Sequence, residues 1–421
     1  MTTSVHKLAP MAQTGSLIER RCRKACFALL NKLEHGLLEI EEGQHIHRFG
    51  RDDDPELRVK VHVLDPSAWA DLALRGAIGA GEAYMHSVIE VDDLTRLTRV
   101  FVRNVEVLDQ LDGGLAKLLG STLRAVHWFN RNNREGARRN IRAHYDLGND
   151  LFEAFLDPTM MYSSGVYPSA DAPLETAAVH KLDLICQKLG LQPGMRVIEI
   201  GTGWGGMAIH AAKHYGVHVT TTTISDAQYD LAQARVTAEG LDDQITLLKQ
   251  DYRDLTGTYD RLVSVEMIEA VGHQYLDTFF AKCRSLLKPD GLMLIQAITI
   301  VDHRYDQALQ GVDFIQKYIF PGGFVPSVSA MMKSVGAVTD LRLVDLQDYA
   351  GHYAQTLAHW RQRFDDARDH VDGLGYDERF QRMWRFYLSY CEGGFAERQL
   401  GLGQLLLAAP RSSAQSPASP L

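Results

Sequence analysis

The stretch Val197-Ile198-Glu199-Ile200-Gly201-Thr202-Gly203-Trp204-Gly205-Gly206 decides the fold of this chain. A short apolar run that suits a buried strand leads into Gly201, Gly203 and Gly206, spaced G-x-G-x-x-G, and a helix-compatible segment follows. Glycines at such a turn permit a tight bend and let a ligand approach the backbone N–H groups closely. Alone the spacing is a weak signal, because a plain strand-to-helix turn uses the same residues.

Outward from this turn the texture alternates. Arg196 to Ile200 reads as a strand, Gly206 to Tyr215 as a helix, Val217 to Thr222 as a second strand and Ala227 to Glu239 as a helix. Ile245 to Leu248 and Arg261 to Val265 read as the third and fourth strands, Tyr275 to Leu287 as a helix, and Leu292 to Ala297 as a fifth strand. The series predicts an α/β fold, a doubly wound Rossmann-like sheet with its ligand crevice at the carboxyl ends of the strands.

Two nucleotide cofactors compete for that crevice. A dinucleotide site expects a carboxylate about 20 residues on, at the end of the second strand, to hold ribose hydroxyls. Here that stretch is Val219-Thr220-Thr221-Thr222-Thr223-Ile224-Ser225, with no carboxylate. Bulky Trp204 inside the loop also fits a cofactor without a pyrophosphate. Both features select S-adenosylmethionine. Asp251, just after the third strand, is placed to accept from an adenine amino group, and its plainer reading is a helix N-cap or turn residue.

At 421 residues and 45% hydrophobic content, the chain is long enough for two domains. A net charge of -9 argues against a nucleic-acid partner, which needs a concentrated basic face. Cys22, Cys26, Cys186, Cys283 and Cys391 are odd in number and scattered, which suits a reducing compartment and no disulfide framework. Only the first two lie close together, so no metal is expected. No apolar run is long enough to span a membrane and no secretory signal is visible, which makes a cytoplasmic location the expectation.

Four segments are expected: residues 1–112 as a small α+β domain, 113–143 as a basic linker, 144–408 as the catalytic domain and 409–421 as a disordered tail of Ser, Ala and Pro. Arg58 to Val63 alternates as a half-buried strand. Leu115 to Asn130 is helix-compatible and ends in Trp128-Phe129. Arg131, Arg134, Arg138, Arg139 and Arg142 follow it. Aromatic residues beside clustered arginines suit an anchor on an anionic bilayer, and the plainer reading of each arginine is a solvated, salt-bridged helix packed between domains. The early cluster Arg20, Arg21, Arg23 and Lys24 reads the same way.

The ordered segments resemble the cyclopropane-fatty-acyl-phospholipid synthase family, which includes the mycolic acid cyclopropane synthases. The likeness runs from about Gly81 to Leu407. It rests on Gly81-Glu82-Ala83-Tyr84-Met85, His144-Tyr145-Asp146-Leu147-Gly148-Asn149-Asp150-Leu151-Phe152 and Met161-Tyr162-Ser163-Ser164. The glycine loop, Thr223-Ile224-Ser225 with Gln228, Gln250-Asp251-Tyr252-Arg253-Asp254-Leu255, Met267-Ile268-Glu269-Ala270-Val271-Gly272 and Lys317-Tyr318-Ile319-Phe320-Pro321 complete it.

The resemblance implies a class I methyltransferase that moves the methyl carbon of S-adenosylmethionine to the double bond of an unsaturated acyl chain in a membrane phospholipid, with proton loss and ring closure. It implies a peripheral location on the inner face of the membrane and a smaller amino-terminal domain that assists lipid binding and dimerisation. It places Tyr162 and Ser163 at the methionine end, Gly201 and Gly203 along the cradle, Thr223 and Gln228 on the ribose, and Asp251 with Tyr252 at the adenine. A bound bicarbonate is implied as base, held by Ser164, Glu269, Gln296, Ile298 and Tyr353, with Glu269 orienting it or acting directly. Ser164 stands where many members carry cysteine and Gln296 where several carry histidine. Gln296 keeps open a relative that stops at a methyl or methylene branch. A noncatalytic lipid-binding relative is the third reading.

Overall fold

The computed structural model describes residues 15–113 and 147–414, which form two compact units. The basic linker, with Trp128, Phe129 and the five arginines, lies outside the described residues, as does the His144-Tyr145-Asp146 end of its motif.

The first unit carries a four-stranded sheet in the order β2-β1-β3-β4, from β1 (Leu37–Glu42), β2 (His45–Gly50), β3 (Arg58–Val63) and β4 (Ile89–Val91). β3 has the expected bounds, and its alternation buries Val59, Val61 and Val63 on one face. Helix Ser67–Met85 is kinked at Gly76, whose φ of 55° and close approach to Asp112 exclude any side chain. Two later segments, Gly311–Ile315 and Arg368–Glu397, join this unit rather than the catalytic one. Helix Glu378–Ala396 lays Gly393 against Thr98 of helix Leu94–Arg103, where an added Cβ would meet Thr98 Cβ at 2.7 Å. The guanidinium of Arg382 sits 3.9 Å from the Tyr84 ring centroid and donates to Tyr84 O at 2.6 Å.

The second unit is built on a seven-stranded sheet in the order β10-β11-β9-β8-β5-β6-β7. Its strands are β5 (Arg196–Ile200), β6 (His218–Thr223), β7 (Ile245–Lys249), β8 (Tyr259–Val265), β9 (Leu287–Ile300), β10 (Arg342–Asp348) and β11 (Leu400–Ala408). β5 to β9 run parallel, and β11 runs antiparallel to both β9 and β10. The sheet has apolar cores on both faces. Ile198, Ile200, Leu405 and Leu407 pack with Phe279 and Phe280 on one side, while Val197, Leu406 and Ala408 pack with Met207 and Ala211 on the other. Successive strand residues point to opposite faces, so unbroken apolar runs are what a doubly covered sheet requires.

Two findings differ from the sequence expectation. β10 and β11 are additional strands, and β9 extends past Ala297 to Ile300, where β11 pairs with it from Ala408↔Leu292 to Leu400↔Ile300, and back to Leu287, which pairs with Tyr259 of β8. Residues 409–414, expected within a disordered tail, are held instead: Ala409 N donates to Gly291 O and Arg411 N to Pro289 O, both at 3.0 Å, and Ala409 is fully buried. The β11 ladder along β9 carries the chain that far. The order reverses at β5, flanked by β6 and β8, so the crevice opens where the glycine loop begins.

Candidate active site

The loop after β5 is conformationally demanding. Gly201, Gly203 and Gly205 have φ of 100°, 54° and 87°, and Gly205 caps helix Gly206–Tyr215 with no side chain bonded to its first N–H groups. Gly201 N and Thr202 N donate to Thr222 O, at 3.2 and 2.9 Å, which ties the loop to the end of β6. Gly206 has no room for a Cβ, which would lie 2.6 Å from Thr159 O and 2.7 Å from Met161 Sδ. Trp204, the bulky residue of the loop, turns inward. It is buried, its indole N–H donates to Asn149 Oδ1 at 2.9 Å and its ring packs on Phe152 at 4.9 Å, so it pins the loop to the core.

The residues expected to hold the cofactor come together along these strand ends. At the end of β6, Thr223 donates to Gln228 Oε1 at 2.9 Å, and Ser225 caps the helix carrying Gln228. Past β7, Asp251 is an N-cap, its plainer reading: it accepts from Arg253 N at 3.0 Å and from Arg253 Nε and Nη2 at 2.8 and 2.7 Å. Arg253 thus holds the Asp251 carboxylate in a two-point ion pair. Tyr252 packs edge-on against Phe279 at 5.6 Å.

Tyr162 belongs to an aromatic wall, 5.1 Å from Phe152 and 5.4 Å from Trp360, and Trp360 lies 6.1 Å from Tyr353. Ser163 accepts from the ammonium of Lys181 at 2.8 Å. Lys181 and Glu199 are both buried, and burial pushes the ammonium down to about 8 and the carboxyl up to about 8. Glu199 accepts from Thr221 at 2.5 Å. Neither residue was singled out from sequence, where each reads as an ordinary helix or strand position.

The five residues assigned to an anion do not share one. Ser164 N (3.0 Å) and Gln296 Nε2 (2.8 Å) donate to Glu266 Oε1, and Tyr353 Oη donates to Glu266 Oε2 at 2.7 Å. Ser164 turns its hydroxyl to Gly165 O at 2.8 Å, so its backbone N–H makes the anion contact. Ile298 N donates instead to Glu269 Oε1 at 2.5 Å. Glu266 was missed in the sequence. It stands one residue past β8 at a φ of 48°, unusual for a side chain of this kind, and its N donates to Gln296 O at 2.7 Å. A second carboxylate in Glu266-Met267-Ile268-Glu269 at a strand end was the signal available.

Glu266 perturbs the second carboxylate, Glu269. Burial, with Glu266 nearby, pushes the Glu269 carboxyl up to about 8, and its Oε2 is shielded from solvent with no hydrogen-bond partner among the described residues. Burial raises Glu266 too, opposed by the donors from Tyr353, Gln296 and Ser164. Since those donors already face an internal carboxylate, the residues present do not fit a separate bicarbonate.

Comparison with known proteins gives the family. Residues 132–405 match the family model for mycolic acid cyclopropane synthetase. The tuberculostearic acid methyltransferase of Mycobacterium tuberculosis is 42% identical over 350 residues, covering 79% of each chain. The cyclopropane-fatty-acyl-phospholipid synthase of Escherichia coli is 40% identical over 348 residues, 82% of this chain and 87% of that one. The crystal structure of mycolic acid cyclopropane synthase CmaA1 complexed with SAH and CTAB superposes with a TM-score of 0.60 at 31% identity, over 64% of this chain and 98% of the other. The chain therefore belongs to the mycolic acid cyclopropane synthetase family and is a methyltransferase on the class I fold.

Proposed function

We propose that this protein methylates the double bond of an unsaturated acyl chain in a membrane phospholipid and closes a cyclopropane ring, with the Glu266 carboxylate as base in place of bicarbonate. The observation that carries this reading is the convergence of Ser164, Gln296 and Tyr353 on Glu266. S-adenosylmethionine, when bound, supplies an electrophilic methyl carbon. The Gly201–Gly206 turn, Thr223 with Gln228, and Asp251 would hold it across the ends of β5, β6 and β7.

An alkene is a weak nucleophile, so the protein's task is orientation and exclusion of water. The wall of Phe152, Tyr162, Trp360 and Tyr353 supplies apolar faces that suit a positively charged acyl centre. The alkene π pair forms the first carbon–carbon bond, and the carbon–sulfur pair is left on the thioether. A C–H bond of the delivered carbon then breaks, its electrons close the ring, and Glu266 takes the proton. Hydrogen bonds from Tyr353 and Gln296 favour the ionised carboxylate and oppose the burial that raises it.

A second reading is a methylene-branched product. Three hydrogen bonds weaken Glu266 as a base, and slower proton removal gives a hydride time to migrate along the chain; the 42% identity to a tuberculostearic acid methyltransferase accords with it. Among the described residues no helix is long and apolar enough to cross a membrane, so substrate would be met at the bilayer surface.

The test incubates the full chain with labelled S-adenosylmethionine and vesicles of unsaturated phospholipid, with product identified by mass spectrometry and NMR. A ring is expected, an exocyclic methylene selects the second reading, and no transfer rejects both. Removing dissolved bicarbonate should leave the rate unchanged; a rate that collapses and returns with added bicarbonate would reject Glu266 as base.

A further inference from the structure

We propose that Lys188 is a positioning residue for the Glu266 carboxylate, acting through the side-chain amides of Gln404 and Gln296. This rests on the reading of Glu266 as base.

Gln404 on β11 and Gln296 on β9 are direct cross-strand partners, and both are fully buried in the sheet. Lys188, in the last turn of helix Leu174–Lys188, donates to Gln404 Oε1 at 2.6 Å. Gln404 Nε2 donates to Gln296 Oε1 at 2.9 Å, and Gln296 Nε2 donates to Glu266 Oε1 at 2.8 Å. The chemistry of the two ends sets the direction of the chain. An ammonium only donates, so the near atom of Gln404 must be its oxygen; that leaves its NH₂ for Gln296, whose NH₂ is then left for the carboxylate, which only accepts. Neither amide can turn over without setting oxygen against oxygen or N–H against N–H.

Two buried amides amid leucine and isoleucine are costly to desolvate, and an apolar pair would pack β9 on β11 at less cost. What the amides add is orientation: Lys188 dictates which end of Gln296 faces the base. Burial lowers the Lys188 ammonium to about 8 and nearby Asp345 opposes this, so the ammonium prevails at neutral pH. Tyr349 also contacts it, with Nζ 3.3 Å from Oη and 5.1 Å from the ring centroid. The charged or titratable groups facing Glu266 itself are Tyr353, Lys181 and Glu269.

The experiment compares Lys188→Met, Lys188→Arg, Gln404→Glu and Glu266→Gln in the full chain, with kcat and KM on unsaturated phospholipid vesicles across pH and Tm for each variant. Lys188→Met frees Gln296 to present its oxygen to Glu266. Its kcat should fall about ten-fold with KM for S-adenosylmethionine unchanged, and the acid limb of the kcat profile should move up by about one pH unit. Arginine at this position should restore both. Gln404→Glu keeps shape but is acceptor-only, turns the Gln296 amide around, and should approach the loss seen in Glu266→Gln. An unshifted acid limb in Lys188→Met, or a loss equal at every pH, overturns the inference. If Glu266→Gln is inactive while Lys188→Met keeps the parent profile, only this inference fails; a fully active Glu266→Gln overturns the base assignment and this inference together.

Discussion

Glu266 holds a backbone conformation that disfavours side chains, at a φ of 48°, and turns its carboxylate onto three donors from separate elements. Local strain of about 1–3 kcal/mol persists only where surroundings over-determine it. Glu266→Gln should lower kcat at least about a hundred-fold and leave S-adenosylmethionine affinity within two-fold, read by turnover and equilibrium binding; full activity would end its role as base. Glu269 lends itself to a different test. Its folded-state carboxyl lies near 8, above its unfolded value of 4.5, so the folded state binds the proton more tightly. Its contribution is fully present below the unfolded value and is lost as pH rises through about 8. Glu269→Gln, a mimic of the neutral acid, should therefore raise Tm relative to the parent at pH 9 and change it little at pH 5. Asp251 was legible as a residue type at a strand end, whereas Thr223, Gln228 and Tyr353 entered through the family resemblance. Glu266 was not legible, because its value lies in an unusual φ and in partners 102, 30 and 87 residues away along the chain.

At the scale of elements, the parallel strands β5 to β8 and the helix after the glycine loop were legible because their apolar runs are continuous and bounded by turn residues. β11 was not: Leu400-Gly401-Leu402-Gly403-Gln404 carries two glycines and a buried glutamine, and only pairing with β9 makes it a strand. β10 is largely exposed and lacks a clear apolar face. The turn at Gly206 is the tightest constraint on the loop. Gly206→Ala drives a Cβ into the Thr159 carbonyl, and should cost about 1–3 kcal/mol and weaken S-adenosylmethionine binding at least ten-fold, measured by thermal unfolding and calorimetry. Unchanged affinity would show that the loop relaxes without loss.

For the whole molecule, the described residues divide in a way that chain order does not suggest. Helix Glu378–Ala396 lies far past the glycine loop yet packs within the amino-terminal unit, through Gly393 on Thr98 and Arg382 on Tyr84. A fragment beginning at residue 144 leaves that helix without its partners. It should be insoluble or melt well below the full chain, as checked by expression and circular dichroism; a fragment as stable as the parent would contradict this packing. The sequence by itself determined the doubly wound sheet, the crevice at its switch point and a cofactor without a ribose carboxylate, since these follow from local periodicity, glycine spacing and one missing residue type. Tertiary structure alone decided that Ser164, Gln296 and Tyr353 converge on Glu266, that β11 completes the sheet, and that residues 368–397 join the first unit. Each depends on contacts between distant segments, which a periodic pattern does not record.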